Sequence, residues 1–293
     1  MAVLLSGTQV SERLCGQIRA EIGLLREHKV IPTLGIVRVG ARIEDISYER
    51  GATKRAQALG VAVDRTLLPE EVGPNGLVEV LREISASRRI HGCLLFRPLP
   101  PHLDTTQVMQ ALSIEKDIDA MTGAAMGGLM IPSAAAFPPC TAAACLALLR
   151  HYDIPLPGKN VVIVGTGITV GMPTAILLMN QGATVSACNI LTDPQQMVEL
   201  CQRADIIISA AGKAGLIGAK HVRPGQVIID VGVSKGPDGG IRGDVDFEQV
   251  APIVAALTPV PGGVGAVTST VLSAHTVQAA LRANDLSCGE LLV

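Results

Sequence analysis

The chain has 293 residues, of which 24 are basic, 26 are acidic and 48% are hydrophobic, and its formal net charge is −2. This length favours two domains, since domains mostly span about 100–200 residues. The nearly neutral charge excludes the basic surface that nucleic acid or an anionic membrane requires, and the apolar content excludes a disordered polymer. We therefore expect a globular protein with a small-molecule partner, no nucleic-acid partner and no membrane partner.

Membrane-spanning and export segments are not expected. The longest apolar runs are strand-sized, whereas a spanning helix needs about 20 apolar residues, and the N-terminal segment lacks a basic leader with a cleavage site. The seven cysteines are scattered without a C-x-x-C pair, and the six histidines show no metal-ligand spacing. We expect a cytoplasmic protein that binds no metal and whose cysteines are small core residues.

Helical and strand periodicities alternate along the first part of the chain. They predict helices at 10–28, 47–59 and 75–86, and strands at 34–40, 61–67 and around 91–96. This is the alternation of βαβ units, which predicts a mostly parallel sheet. The stretch 119–142 is rich in Gly, Ala, Pro and Met without clear periodicity, and we interpret it as a connecting segment.

A second α/β domain is predicted to follow a helix at 141–152. Segment 157–188 has the pattern strand, glycine turn, helix, strand, and two apolar strands come after it in ADIIISAAGK and VIIDVGVSK. We predict an α/β fold with a three-layer N-terminal domain at 1–142 and a Rossmann-like, doubly wound parallel-sheet domain at 143–267. A helix predicted at 268–283 lies in a C-terminal segment, 268–293, that we expect to pack back on the first domain.

The glycine turn indicates a dinucleotide site. Gly165, Gly167 and Gly171 follow an apolar strand and precede a helix, where free N–H groups attract a pyrophosphate that Cβ atoms would obstruct. The alternative is a tight strand-to-helix turn with no ligand. An acidic residue that reads the ribose is usual about 20 residues later, but Asn189 and Ile190 hold that place, so the choice between NAD and NADP stays open.

Several further segments follow one another in a recognisable order. They are the helix that bears Tyr48, RPLPP, KDIDA (116–120), PPCT (138–141), VGTGITVGMP, ADIIISAAGK, IIDVGVSK, GDVDF (243–247) and TPVPGGVGAVT (258–268). In this order and spacing they resemble the bifunctional methylenetetrahydrofolate dehydrogenase/cyclohydrolase family over nearly the whole chain. The PVPGGVG block is the most specific part of the resemblance.

The resemblance implies an enzyme that oxidises 5,10-methylenetetrahydrofolate with NADP, hydrolyses the methenyl product and forms a homodimer. It implies that Tyr48 stacks near the folate ring and that Asp119 grips the pterin, as the catalytic residues. It further implies folate contacts at Phe96, Arg97, Pro261, Gly262 and Gly263. The implied NADP contacts, with NAD left open, are Gly165, Thr166, Gly167, Val170, Gly171, Asn189, Ile190, Val233 and Thr268.

Some of these residues also have plainer interpretations. Tyr48 could be an amphipathic residue capping a buried helix, and Asp119 could cap a turn. Gly262 and Gly263 could serve only a tight turn, and Val233 could be an ordinary strand end.

The chain departs from the family pattern where the resemblance places the hydrolytic residues. The family's proton-handling Lys, four residues after the Tyr, is Ala52, and the Gln that supports it is Phe96. Lys54 points to another side of the helix, and Arg55 stays protonated, so neither is a suitable general base. Further replacements are Ala120 and Ala125 near the pterin Asp, and Thr166 and Ile190 where the family can carry the Arg and Ser that bind the 2′-phosphate.

Three hypotheses follow for the function. The first is a dehydrogenase of this family with weak or no cyclohydrolase activity, since hydride transfer does not itself require the missing Lys. The second is an enzyme of related fold that acts on another one-carbon or pterin-like substrate. The third is a non-catalytic paralogue that binds a dinucleotide or pairs with an active subunit.

Overall fold

The computed structural model describes residues 2–103, 105–131, 133–236 and 239–287. The described chain divides into two compact units. The first unit comprises residues 13–140 and 269–287, and the second unit comprises residues 2–12 and 141–268.

The strands and helices alternate through most of the chain. In chain order the strands are β1 (Val3–Leu4), β2 (Thr33–Val39), β3 (Ala62–Leu68), β4 (Gly92–Leu95), β5 (Asn160–Val164), β6 (Thr184–Cys188), β7 (Ile206–Ser209), β8 (Val227–Asp230), β9 (Ser234–Lys235), β10 (Ile241–Arg242) and β11 (Ala256–Leu257). The helices are α1 (Gly7–Glu27), α2 (Ile43–Leu59), α3 (Pro74–Ala86), α4 (Thr105–Ala111), α5 (Gly123–Met130), α6 (Cys140–His151), α7 (Gly171–Asn180), α8 (Pro194–Arg203), α9 (Phe247–Val250) and α10 (Val264–Arg282), with a short 3₁₀-helix at Ala219–His221.

The first unit contains a parallel sheet in the order β3-β2-β4. All seven residues of the central strand β2 are buried, as expected for an apolar strand covered on both faces. The hydrophobic core of this unit includes Val37 of β2 with Leu77 and Leu81 of α3. Helix α3 begins with Pro74 in its first turn, where a missing N–H costs nothing.

The second unit contains a parallel sheet in the order β1-β11-β8-β7-β5-β6. The apolar strands predicted in ADIIISAAGK and VIIDVGVSK are β7 and β8, and they pair side by side. Residues 2–12 belong to this unit because β1 pairs with β11, Val3 opposite Ala256. The predicted fold class, a two-domain α/β protein with parallel sheets, is confirmed.

The segment interpreted as a connection contains helix α5, which the sequence patterns did not predict. The helix begins because Thr122 caps it: its hydroxyl accepts a hydrogen bond from the Ala125 amide at 3.1 Å. Its eight residues, GAAMGGLM, give little amphipathic signal, which is why the pattern failed here. Among the described residues no helix combines the length and apolar character needed to cross a bilayer.

Candidate functional site

The glycine turn of the second unit is built by close backbone packing. Gly165 has φ +99°, and a Cβ there would lie 2.4 Å from the Ala210 carbonyl oxygen. A Cβ on Gly171 would lie 1.7 Å from the carbonyl oxygen of Gly165. At Gly167, by contrast, no heavy atom of the described chain other than those of Gly167 and its two chain neighbours lies within 4 Å of the Cβ position. Gly165 and Gly171 are therefore fixed by the fold, whereas Gly167 leaves open space in front of the turn.

The turn opens onto a cavity of about 1120 Å³ in the second unit. Five predicted cofactor residues line it together: Gly165, Thr166, Gly167, Asn189 and Ile190. The side of the cavity after β7 carries Lys213, and the 3₁₀-helix contributes Lys220 and His221. The arrangement brings the glycine turn, the end of β6 and two cations around one space.

Four other predicted cofactor residues do not belong to the cavity lining in the described part of the chain. Val170 caps α7 through its backbone, directly before Gly171. Val233 is 64% exposed. Thr268 is buried, and its hydroxyl donates to the Val264 carbonyl oxygen at 3.2 Å inside α10.

A buried carboxylate holds the loop that forms the cavity wall after β7. Asp244 accepts hydrogen bonds from the amides of Ala211 at 2.6 Å, Gly212 at 3.2 Å and Lys213 at 2.8 Å. The Ser209 hydroxyl donates to the same carboxylate at 3.0 Å. Hydrogen bonds to a charged acceptor are strong, so the loop that forms this wall is held in place without a ligand.

These features fit a dinucleotide. Gly167 has no side chain and leaves open space at the turn where a pyrophosphate can approach, and helix α7 begins at the end of the turn. The cavity volume of about 1120 Å³ suits a ligand of that size. The second unit therefore has room and donors for NAD or NADP.

In the first unit, Tyr48 lies against Phe96. Their ring centroids are 5.8 Å apart with an interplanar angle of 79°, an edge-to-face contact. Tyr48 remains 39% exposed, so part of the residue is accessible to a ligand. The ring comes from α2, and Phe96 directly follows β4.

Asp119 is anchored next to Cys140. The Cys140 amide donates to Asp119 Oδ1 at 2.8 Å. Burial raises the pKa of Asp119, while this amide and the Arg97 charge oppose the rise. Burial also raises the pKa of the Tyr48 hydroxyl well above its usual value, and Cys140 and Asp119 add to it. Tyr48 is therefore a neutral phenol near Asp119, and Arg97 contributes a cation to the same place.

The structure also locates the positions that depart from the family pattern. Ala52 lies in α2 one turn after Tyr48 and is buried, at 2% exposure. Lys54 is exposed and lines a separate cavity with Glu49. Arg55 Nη1 lies 3.7 Å from Cys15 Sγ. Neither cation occupies the place of the missing Lys.

The predicted turn at 261–263 lies in the second unit. Gly262 has φ +102°, and its carbonyl oxygen accepts the Gly7 amide at 2.9 Å. A Cβ on Gly263 would lie 2.5 Å from the Pro259 carbonyl oxygen. Pro261 directly precedes the two glycines. The positive φ of Gly262 and the close packing at Gly263 show that both glycines are required by the geometry of the turn.

Sequence reasoning missed two residues: Cys140, which contacts Asp119, and His275, which contacts Cys140. Cys140 Sγ lies 3.7 Å from His275 Nδ1, and His275 Nδ1 lies 2.9 Å from the Ile118 carbonyl oxygen. Cys140 was visible in the PPCT motif, but His275 lies far along the chain and gave no signal. Lys213 was likewise visible, in ADIIISAAGK. No group of acidic, His and Cys side chains among the described residues has the arrangement of a metal site.

Two family models match this chain. Residues 5–119 match the catalytic domain of tetrahydrofolate dehydrogenase/cyclohydrolase, and residues 139–284 match its NAD(P)-binding domain. The bifunctional protein FolD of Carboxydothermus hydrogenoformans is 40% identical over 288 residues, which covers 98% of this chain and 100% of the relative.

Solved structures agree with the family models. The bifunctional FolD enzyme of Campylobacter jejuni has a TM-score of 0.93 at 32% identity, covering 96% of this chain and 99% of that one. The Trypanosoma brucei enzyme, solved with NADP and an inhibitor, has a TM-score of 0.91 at 32% identity, covering 96% and 98%. The resemblance expected from the sequence motifs is confirmed. The chain belongs to the tetrahydrofolate dehydrogenase/cyclohydrolase family.

Proposed function

We propose that this protein oxidises 5,10-methylenetetrahydrofolate to 5,10-methenyltetrahydrofolate, with NADP as the hydride acceptor. The observation that carries the proposal is the glycine turn, which opens onto a cavity of about 1120 Å³ in a unit that matches the NAD(P)-binding domain model. The second unit would bind the dinucleotide, and the first unit would bind the folate.

The chain's own residues would mainly bind and orient two rings. The nicotinamide, when bound, supplies the hydride chemistry. Gly165, Thr166 and Gly167 would hold the pyrophosphate through backbone N–H groups. Tyr48 would stack on the folate, and Asp119 would receive the polar edge of the pterin.

NADP is favoured by the cations around the cavity. Lys213 and Lys220 line it and can neutralise a 2′-phosphate. The T. brucei relative was solved with NADP. Thr166 and Ile190 add no charge, and Ile190 is 98% exposed, so the preference for NADP rests on the two lysines.

We further propose that hydrolysis of the methenyl product is weak in this enzyme. The two positions that the family uses for hydrolysis carry the apolar side chains Ala52 and Phe96, both buried. Asp119 and Cys140 are titratable groups that influence Tyr48, and burial raises the pKa of the Cys140 thiol well above its usual value. A buried thiol and a bound carboxylate are poor substitutes for an amine that exchanges protons with water.

A spectrophotometric assay tests both proposals. Reduced nicotinamide and methenyl product are followed separately with 5,10-methylenetetrahydrofolate and either NADP or NAD. We expect NADP reduction accompanied by accumulation of the methenyl product. Absence of reduction with both dinucleotides would contradict the dehydrogenase and favour an altered substrate or a non-catalytic paralogue. Hydrolysis as fast as oxidation would contradict the second proposal alone.

Ala52→Lys provides the matched gain-of-function test. We expect hydrolysis of added methenyltetrahydrofolate to rise by at least about tenfold, since a positioned proton-transfer group contributes roughly 10²–10⁴-fold. Ala52→Met is the control, because it has similar length without the amine. Equal rates in the two variants would show that side-chain size, not the amine, is responsible.

We also propose a cytoplasmic homodimer. The homodimer is what the family resemblance implies, and the six described cysteines, all free and buried, suit a reducing compartment. Light scattering coupled to size-exclusion chromatography should give twice the chain mass of 30.4 kDa. A monomeric mass at assay concentration would contradict the dimer.

A further inference from the structure

A second large cavity lies in the first unit, away from Tyr48. It has a volume of about 1110 Å³ and lies at the amino ends of the strands, beside Thr33 of β2, Ala62 of β3 and His91 before β4. Phe96 follows the carboxyl end of the same strand β4, so the two sites lie at opposite ends of the sheet. Neither the glycine turn nor the Tyr48 pocket uses any residue of this cavity.

His91 offers an unused donor in this cavity. The residue is 5% exposed, and its Nδ1 accepts the Thr33 amide at 3.1 Å. Burial, and then the Lys116 charge, lower the pKa of His91 to about 4, so the ring is neutral near pH 7. Because Nδ1 accepts, the ring proton is on Nε2. Nε2–H donates to no group in the part of the chain that the structure describes, and His91 lines the cavity, so this donor is available to a ligand there.

Lys116 is held beside this donor. Its ammonium donates to the Ser87 carbonyl oxygen at 2.7 Å and to the Ile90 carbonyl oxygen. These bonds use two of its three N–H groups and leave one for a ligand. The ammonium is therefore a positioned cation, unlike a freely moving surface lysine.

The charge of the lining is strongly positive although the chain as a whole is slightly acidic. The ionised side chains that line the cavity are Lys29, Arg88, Arg89, Lys116 and Asp64. Asp64 is already paired with Arg89, Oδ2 to Nη2 at 2.5 Å. Lys29, Arg88 and Lys116 have no acidic partner within ion-pair distance in the part of the chain that the structure describes, and these cations favour an anionic ligand. Apolar side chains also belong to the lining, namely Val30, Ile31, Ala62 and Val63.

We propose that this cavity binds a small organic phosphate. The phosphoryl oxygens would accept from His91 Nε2–H and from Lys116, with Arg88 closing over them, and the apolar part of the ligand would lie against Val30 and Ile31. A phosphate suits three donors that differ in direction, because it has three acceptor oxygens. The cavity volume of about 1110 Å³ lies just above the usual range of about 300–1,000 Å³ for small-molecule sites, so the cavity accommodates more than an inorganic ion.

Histidine side-chain NMR on the full chain tests the proposal. The probes are phenyl phosphate, inorganic phosphate and benzoate, titrated at constant ionic strength into protein labelled with ¹⁵N-histidine. His91→Asn assigns the His91 signal. We expect phenyl phosphate to shift the His91 Nε2 signal to saturation, with a Kd at least about tenfold below those of the other two probes. Lack of saturation overturns the site, and equal binding of benzoate overturns the choice of a phosphate.

A pair of variants separates specific binding from general attraction. Arg88→Gln removes a cation that lines the cavity, whereas Arg82→Gln removes an equal charge at an exposed position of α3 outside the cavity. We expect the phenyl phosphate Kd to rise about fivefold or more in Arg88→Gln and to stay within about twofold in Arg82→Gln. Equal effects would mean that only net charge attracts the probe and would overturn the proposal. Because both arginines are exposed and lie outside the Tyr48 pocket and the dinucleotide cavity, dehydrogenase activity serves as a folding control.

Discussion

At the scale of single residues, the chemistry beside Tyr48 depends on Ala52 and Phe96. Phe96 fills the space next to the Tyr48 ring by an edge-to-face contact at 5.8 Å, and Ala52 lies one turn along α2. An amine introduced at 52 would still lack a polar neighbour to orient it. We therefore expect the two positions to act together.

The double variant Ala52→Lys/Phe96→Gln should hydrolyse methenyltetrahydrofolate faster than the product of the two single effects predicts. Residues in one hydrogen-bond network commonly show coupling energies of about 0.5–3 kcal/mol. A double-mutant cycle on the hydrolysis rate measures this coupling, and unfolding midpoints show whether each variant is folded. Additive effects on the free energy of activation would mean that the introduced amide does not orient the introduced amine in this chain.

Ala120 has a backbone conformation that is unfavourable for alanine. It has φ +47°, in the left-handed region that favours glycine, directly after Asp119. A residue other than glycine has a conformational free energy about 1 kcal/mol less favourable in this region. Ala120→Gly should therefore stabilise the protein by up to about 1 kcal/mol, less the loss of a buried methyl group at 2% exposure.

Chemical unfolding compares Ala120→Gly with Ala125→Gly. Ala125 is buried within helix α5, where glycine costs about 1 kcal/mol relative to alanine. An increase in the free energy of unfolding for Ala120→Gly and a decrease for Ala125→Gly would support backbone strain at Ala120. Destabilisation by both would show that the Ala120 methyl group contributes more by packing than its backbone costs.

At the scale of elements, the glycine turn joins β5 to α7 with two kinds of glycine. Gly171 is packed against the Gly165 carbonyl oxygen, with its Cβ position 1.7 Å away, whereas Gly167 faces open space. A methyl group at 171 would force β5 and α7 apart. One at 167 meets no protein atom in the described chain but would meet a pyrophosphate.

Gly171→Ala should therefore lower the free energy of unfolding by about 2 kcal/mol or more, as overpacking commonly does. Gly167→Ala should leave stability within about 0.5 kcal/mol and weaken NADP binding by about tenfold or more. Calorimetric titration with NADP and thermal unfolding separate the two effects. Unchanged NADP affinity in Gly167→Ala would place the pyrophosphate elsewhere in the cavity.

Periodicity predicted the strongly patterned elements but not the short ones. Strands such as β5 and β7 are apolar runs between turn residues, and helix α3 has a clear apolar face, so their local sequences determine them. Strand β1 has two exposed residues and exists because β11 provides a partner. A local pattern contains no information about such a partner.

The candidate site was predictable only where a motif carried it. Gly165 and Gly167 follow a recognisable strand, and Tyr48 and Asp119 lie in segments that resemble the family. The neighbourhood of Asp119 with Cys140 and His275 arises from packing between distant segments. The cavity beside His91 likewise combines loops that follow α1 and α3, and no single stretch of sequence predicts it.

At the scale of the whole molecule, buried neutral histidines link stability to pH. His275 is 1% exposed, and burial, with a smaller effect of the Arg282 charge, lowers its pKa to about 4. In an unfolded chain the pKa of histidine is about 6.5. Between these values the unfolded chain binds more protons than the folded one, so stability rises with pH and is lost as the pH falls. His91 acts in the same direction, since its pKa is also lowered to about 4.

We expect the free energy of unfolding to fall by up to about 3 kcal/mol per buried histidine between pH 6.5 and pH 4. His275→Asn should remove part of this pH dependence, because an amide keeps a polar group near the Ile118 carbonyl oxygen without titrating. The exposed His28→Asn is the control. Denaturant unfolding followed by circular dichroism at several pH values gives the slopes, which do not depend on how much each substitution destabilises the protein. Parallel pH profiles for wild type and His275→Asn would mean that other groups cause the acid sensitivity.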